Sequence, residues 1–279
     1  MFNKKRLIAL LTGTLLVGSL VSGCGSAGAN STSGSSSSKI TVSGSTSVGP
    51  TMEILAEDYQ KENDTTIEVQ QVGSSAGITN TIDGTSQIGM SSRDLKDEEK
   101  SELKEYQIAI DGIAVITNSA NKVKDLTLQQ VKDIYTGKIT NWKEVGGADA
   151  EIVVVSREDG SGTRDGFQEI VGFESKDLTS NAQISDGSGN IKTTVQGNEN
   201  AIGYISFGYL DDSINAVKIG GVEPKEENVY NDKYPISRPF LLVTKGEASG
   251  DAKSFIDYVL SDAGQKTIEK QGFMSVNQK

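Results

Sequence analysis

The chain has 279 residues, with 27 Lys and Arg against 38 Asp and Glu, 31 glycines, one cysteine and no histidine, and a formal net charge of −11. The lack of histidine excludes a Ser-His-Asp triad, a His-paired thiol and an imidazole metal ligand, and the single cysteine excludes a disulfide framework and a Cys-based zinc site. A composition that is 35% hydrophobic and 23% charged is that of a globular protein, long enough for one large domain or two of about 100–150 residues.

Residues 1–23 read as a signal peptide. Lys4, Lys5 and Arg6 precede an apolar run, Leu7 to Val21, that is shorter than the ~20 residues a bilayer needs. The only cysteine, Cys24, follows Val21-Ser22-Gly23, an arrangement that resembles a bacterial lipoprotein box. Lipidation there, with palmitate among the acyl chains, would anchor the chain on the extracytoplasmic face of the cell membrane. Removal of residues 1–23 takes away three positive charges and no negative ones, leaving 24 basic against 38 acidic residues and a net charge of −14. Such a surface argues against nucleic acid and against docking on anionic lipid by charge. Residues 24–38 are the lipidated cysteine and a Ser/Gly linker, a flexible tether with an r.m.s. reach of roughly 20 Å.

From Lys39 the pattern alternates between strand and helix. Strands are expected at 39–43, 66–72, 87–90, 106–118, 151–156, 201–206 and 239–243. Helices are expected at 50–61, after the turn at 73–77, and at 96–105, 128–135, 162–172 and 254–271. Val48, Met52, Leu55 and Tyr59 fall on one helical face. The alternation predicts an α/β protein with mainly parallel pairing, whose ligands bind at the carboxyl ends of strands.

Three predicted strand-to-helix junctions share a composition: Gly44-Ser45-Thr46-Ser47-Val48-Gly49-Pro50, Gly73-Ser74-Ser75-Ala76-Gly77 and Asp159-Gly160-Ser161-Gly162-Thr163. Unpaired N–H groups and the positive dipole end at a helix start, with glycines and hydroxyls beside them, form a neutral-donor nest for an anion. Ordinary helix capping accounts for the same residue types. Arg157, at the end of a strand, could point into the same cleft, with Asp159 placed to orient it; a guanidinium held by a carboxylate suits a tetrahedral oxyanion. An exposed Arg157–Asp159 pair is the plainer alternative. The third junction lacks the GK[ST] of a phosphate-binding P-loop and the Gly and Glu spacing of an EF-hand. Two SxxK tetrads, Ser36–Lys39 and Ser101–Lys104, have no SDN or KTG companion, so a serine acyltransferase finds no support.

The ordered set GSTSVGP (44–50), VGSSAGI (72–78), IGMSSR (88–93), GKITNWKEVGG (137–147), SREDGSGTRDGF (156–167) and AIGYISFGY (201–209) resembles the phosphate-binding protein of the bacterial phosphate ABC transporter, the PstS family. Trp142, inside the fourth motif, reads as a packing anchor. The resemblance implies a two-lobed type II periplasmic-binding-protein fold with a cleft between lobes. Lobe I would be 39–117 and 240–279, lobe II 118–239, with crossings near IDGIAVITN and YPISRPFLLV. It also implies a monomeric receptor without enzymatic activity or cofactor. Such a receptor would bind inorganic phosphate through N–H and O–H donors and one Arg, and deliver it to the permease and ATPase subunits of the transporter.

By the same resemblance the phosphate-binding residues would be Thr46, Ser47, Ser74, Ser92, Arg157, Asp159, Ser161, Gly162 and Thr163, with Asp159 holding Arg157. One departure stands out. Many family members place an aspartate where this chain has Ser92, followed by Arg93, and a serine does not repel a fully ionised anion as a carboxylate does. Asp159 is the expected substitute acceptor. Another tetrahedral oxyanion such as sulfate, or a surface lipoprotein role without transport, are the alternatives.

Overall fold

The structure is a computed structural model and describes residues 38–278. The signal peptide and Cys24 lie outside the described residues, and of the linker only Ser38 is described, where it opens the first strand.

In chain order the elements are β1 (Ser38–Gly44), α1 (Gly49–Gln60), β2 (Thr65–Gln71), α2 (Ser74–Ile82), β3 (Ile88–Ser91), α3 (Asp97–Lys100) and β4 (Leu103–Asn118). Next come β5 (Asp125–Leu126), α4 (Leu128–Tyr135), β6 (Val153–Arg157), α5 (Gly162–Val171), β7 (Gln183–Ser185), α6 (Ser188–Gln196) and β8 (Ala201–Ser206). The chain ends with β9 (Ile214–Ala216), β10 (Lys218–Ile219), α7 (Glu226–Tyr230), β11 (Ser237–Lys245), α8 (Gly250–Leu260), α9 (Asp262–Lys270) and β12 (Met274–Ser275). One path of hydrogen-bonded strands runs β2-β1-β3-β11-β4-β8-β6-β7.

A smaller apolar cluster gathers Ile78, Leu95, Leu103, Leu241 and Val243, and two large apolar cores give the fold its two lobes. One gathers residues from Ile40 to Ala109 and from Phe240 to Phe273; the other gathers residues from Ile113 to Ile236, together with Met274. The chain therefore passes from one core to the other inside β4, between Ala109 and Ile113, and returns between Ile236 and Phe240. The first part of β4 pairs with β11, and the rest pairs with β8 and β9. Val48, Met52, Leu55 and Tyr59 are buried on the inner face of α1, as their spacing predicts.

Three expectations need correction. In the large sheet pairing is parallel in the outer strands (β1 with β2 and β3, β6 with β7 and β8) and β5 pairs with β10 in parallel apart from it, but β11 and β4 run antiparallel to their neighbours where the chain changes lobe. The helix expected at 96–105 is the single turn α3, and the strand already begins at Leu103, which pairs with Lys245. There sheet pairing and burial of Leu103 override the helical propensity of a Lys/Glu-rich stretch. The helix expected at 254–271 is two helices, since Ser261 turns to extended backbone and caps α9 through Gly264 N–H.

The GKITNWKEVGG motif is a folding unit. Glu144 accepts from the N–H groups of Thr140 and Asn141, and Asn141 accepts from those of Lys143 and Ala150. Trp142, 1% exposed, donates its indole N–H to Asn200 O at 3.0 Å. The packing role expected of Trp142 is what the side chain does.

Helix α2 lies against the backbone of β1, and Gly77 makes that approach possible. A Cβ on Gly77 would fall inside van der Waals contact of Gly44 Cα and Ser43 O. Alanine is worth roughly 1 kcal/mol more than glycine inside a free helix, yet here the clash is with backbone that cannot step aside. Gly77→Ala is therefore expected to destabilise the protein by about 1–3 kcal/mol, read from urea unfolding, and a stabilised variant would contradict this packing.

Candidate functional site

Five strand ends open on one place between the lobes. The loop after β1 carries Thr46 and Ser47, α2 begins at Ser74, Ser92 follows β3, Arg157 ends β6 ahead of α5, and Ser188 begins α6 after β7. The starts of α1, α2 and α6 have no side-chain cap, whereas Ser161 caps α5, accepting from Arg164 N–H at 3.2 Å.

The hydroxyls of the two lobes meet. Ser47 Oγ lies 2.9 Å from Thr163 Oγ1 and 3.0 Å from Ser188 Oγ, and Thr46 Oγ1 lies 3.4 Å from Ser188 Oγ. Ser74 Oγ is 3.3 Å from Ser92 Oγ and accepts from Ser92 N–H at 3.2 Å. Ser47, Ser74, Ser92, Arg157, Ser161, Thr163 and Ser188 are all buried, so the cleft is closed. Further contacts hold it so: Tyr209 donates to Thr46 O at 2.8 Å, and Ser75 N–H donates to Gly160 O at 3.1 Å.

Arg157 is wholly buried and donates to Thr46 Oγ1 and Ser188 Oγ, both at 3.1 Å, and to Thr163 Oγ1 at 3.4 Å. Its backbone N–H is fixed by Tyr204 OH, whose ring stacks on Phe167 at 4.0 Å. The carboxylate that holds Arg157 is Glu158 rather than the expected Asp159. Glu158 accepts from Arg157 Nε and Nη2 at 2.7 and 2.6 Å and from Gly187 N–H at 3.2 Å. Burial pushes the Glu158 carboxyl up, but Arg157 and this N–H pull harder, so it sits below its ordinary value. Asp159 instead pairs with Arg164 at 2.6 Å and its side chain is 93% exposed. It therefore neither orients Arg157 nor faces the cluster as an acceptor, because the turn at Gly160 directs it to solvent.

A second guanidinium is present where one was expected. Arg238, on β11, donates from Nε and Nη2 to the one oxygen Oδ2 of Asp111 on β4 at 3.1 and 2.9 Å, and donates to Ser92 O at 3.0 Å and Ser47 Oγ at 3.1 Å. Asp111 also accepts from Ser206 Oγ and Phe207 N–H. Burial pushes the Asp111 carboxyl up, against the pull of Arg238 and these donors. Arg93 faces away from the hydroxyl cluster. It is 4% exposed, bonds both oxygens of Glu99 at 2.8 and 2.9 Å, and reaches across to Asp165 on α5 at 3.0 Å.

A family model described as a PBP superfamily domain matches residues 29–263. The phosphate-binding protein PstS of Bacillus subtilis (strain 168) is 39% identical over 245 residues, covering 85% of this chain and 80% of that protein. The chain belongs to the PstS family. Its PstS relative in Staphylococcus epidermidis (strain ATCC 12228 / FDA PCI 1200) is 34% identical over 254 residues, covering 83% of this chain and 77% of that one. A crystal structure from Clostridium perfringens, described as a phosphate ABC transporter substrate-binding protein with bound phosphate, is 64% identical with a TM-score of 0.84, over 85% of this chain and 99% of that one. An ABC-type phosphate transport receptor from Vibrio cholerae is 39% identical with a TM-score of 0.74, over 85% and 100% of the two chains.

Within this PstS member, sequence reasoning missed Ser188, Glu158 and Arg238. Ser188 was legible, since Asp186-Gly187-Ser188-Gly189 repeats the Asp159-Gly160-Ser161-Gly162 composition already singled out. Arg238 carried no local signal, because its partner lies 127 positions away.

Closure depends on a missing side chain at Gly162. A Cβ there would collide with Ser74 Oγ and Cβ and with Ser92 Oγ, all from the facing lobe. Gly162→Ala is expected to hold the lobes apart and to raise the small-angle-scattering radius of gyration in saturating phosphate. An unchanged radius would mean that the lobes close without this contact.

Proposed function

We propose that Thr46, Ser47, Ser74, Ser92, Arg157, Ser161, Gly162 and Thr163, with Ser188, enclose one inorganic phosphate between the lobes. The receptor then presents it to the permease and ATPase subunits of its transporter. The protein is a phosphate-binding substrate receptor of an ABC transporter, not an enzyme, in keeping with its PstS relatives and with the phosphate-bound structure it matches. The observation that carries the residue assignment is the buried cluster of hydroxyls drawn from both lobes around Arg157. Lobe limits follow the switches between cores, a few residues before the 117/118 boundary expected from sequence. In this reading the receptor is a monomer, and a lipid on Cys24 anchors it at the extracytoplasmic face; among the described residues no helix is long and apolar enough to cross a membrane.

A receptor that carries a net charge of −14 once residues 1–23 are removed does not draw an anion by long-range field. Recognition is local: directional N–H and O–H donors act in a cleft from which water is excluded. Binding therefore depends weakly on salt, unlike attachment through a basic patch.

Calorimetric titration with phosphate tests the assignment. A hydrogen bond to a charged group is worth about 1.5–3 kcal/mol, so Thr163→Val should weaken phosphate binding by about 10- to 100-fold at unchanged melting temperature. Arg157→Ala should weaken it at least as much. Wild-type affinity in both variants would remove these residues from the site.

A further inference from the structure

We propose that Arg93 is an interlobe clasp: fixed on the first lobe, it takes hold of Asp165 on the second when the cleft closes, and so sets how long phosphate is held without touching it. The inference rests on the phosphate-receptor reading.

Arg93 follows β3 and is built into its own lobe. Ser91 Oγ accepts from Arg93 N–H at 3.3 Å and donates to Arg93 O at 2.9 Å. Nη1 donates to Asp94 O at 2.7 Å and Glu99 Oε2 at 2.8 Å, and Nη2 donates to Glu99 Oε1 at 2.9 Å and Ser75 Oγ at 3.4 Å. Glu99 is itself held, accepting from Lys96 N–H at 2.8 Å. Four of the five guanidinium protons thus have acceptors in the first lobe. The fifth, on Nε, is directed at Asp165 Oδ2 at 3.0 Å, and this acceptor comes from the other lobe.

Asp165 lies in the first turn of α5, the helix whose start supplies Ser161, Gly162 and Thr163. The segment from Gly160 to Asp165 meets the first lobe at three points: Ser75 N–H donates to Gly160 O, Gly162 packs against Ser74 and Ser92, and Arg93 takes Asp165. The third alone is ionic, and neither of its side chains belongs to the hydroxyl cluster. Asp165 otherwise presents a negative charge about one turn from an anion bound at the start of α5, and Arg93 offsets it only when the lobes meet. With Arg93 at 4% and Asp165 at 33% exposure, the pair is better shielded than an ordinary surface ion pair. Phosphate enters the open form and leaves only after the cleft reopens. A contact made after entry therefore slows release and leaves entry unchanged.

The test combines calorimetric titration of the whole protein with the release of radiolabelled phosphate into an excess of unlabelled phosphate. Asp165→Ala keeps Arg93 paired with Glu99. It should release phosphate about 5- to 30-fold faster, between the values of an exposed pair and of a charged hydrogen bond, with an association rate within about twofold of wild type. The melting temperature of the ligand-free protein should not move, whereas a merely structural role would lower it. Arg93→Met should also speed release, and the double variant should be no faster than Arg93→Met alone. Asp165→Ala, at a part-exposed position, decides the matter if Arg93→Met does not fold. Wild-type release in Asp165→Ala, or effects of the two substitutions that simply add, would overturn the clasp while leaving the receptor reading intact. Absence of phosphate binding by the wild-type protein would overturn both.

Discussion

The arrangement of this protein depends on one buried ion pair, Asp111 with Arg238, set where the chain crosses between the lobes. Removing one partner would strand a charge in the interior, which is far more damaging than replacing both. The pair is tolerated because its hydrogen bonding is extensive. Asp111 receives two guanidinium N–H groups, the Ser206 hydroxyl and the Phe207 N–H, while Arg238 spends further donors on Ser92 O and Ser47 Oγ. One interaction thereby ties β4, β11, the end of β8 and two of the loops that carry site hydroxyls.

The proposed site offers an anion no net positive charge. Each guanidinium near it has its own carboxylate: Arg157 with Glu158, Arg238 with Asp111, Arg164 with Asp159, and Arg93 with Glu99 and Asp165. Attraction therefore comes from oriented dipoles, which act at hydrogen-bond range and lose strength once water enters. That constraint explains why so many small residues gather at the helix starts: glycine lets the backbone approach, and serine or threonine adds a donor on a short stem. It also explains why a closed cleft matters more here than overall charge.

Much of the fold was legible because its signals are local. The apolar face of α1, the β6 strand and the Ser/Gly junctions all follow from residues within one or two turns of each other. The end of α3 was not, since Leu103 becomes a strand only by pairing with Lys245. The antiparallel centre of the sheet was equally hidden, because alternation of strand and helix says nothing of direction. At the site, hydroxyl and glycine positions could be read, whereas ion-pair partners could not. Glu158 and Asp159 are neighbours of the same charge, and only the turn at Gly160 decides which faces inward. Arg238 and Asp111 come together solely through tertiary structure.

The insertion of β11 between β3 and β4 also sets an order on biogenesis. The lobe that begins the folded chain cannot complete its sheet until residues 237–245 have been synthesised, after the whole of the second core. The second core is nearly contiguous in sequence, lacking only Met274, and its contacts close shorter loops. Until residues 237–245 are present, β3 and the first part of β4 are without the strand that joins them, and unpaired edges of this kind are where wrong pairing starts.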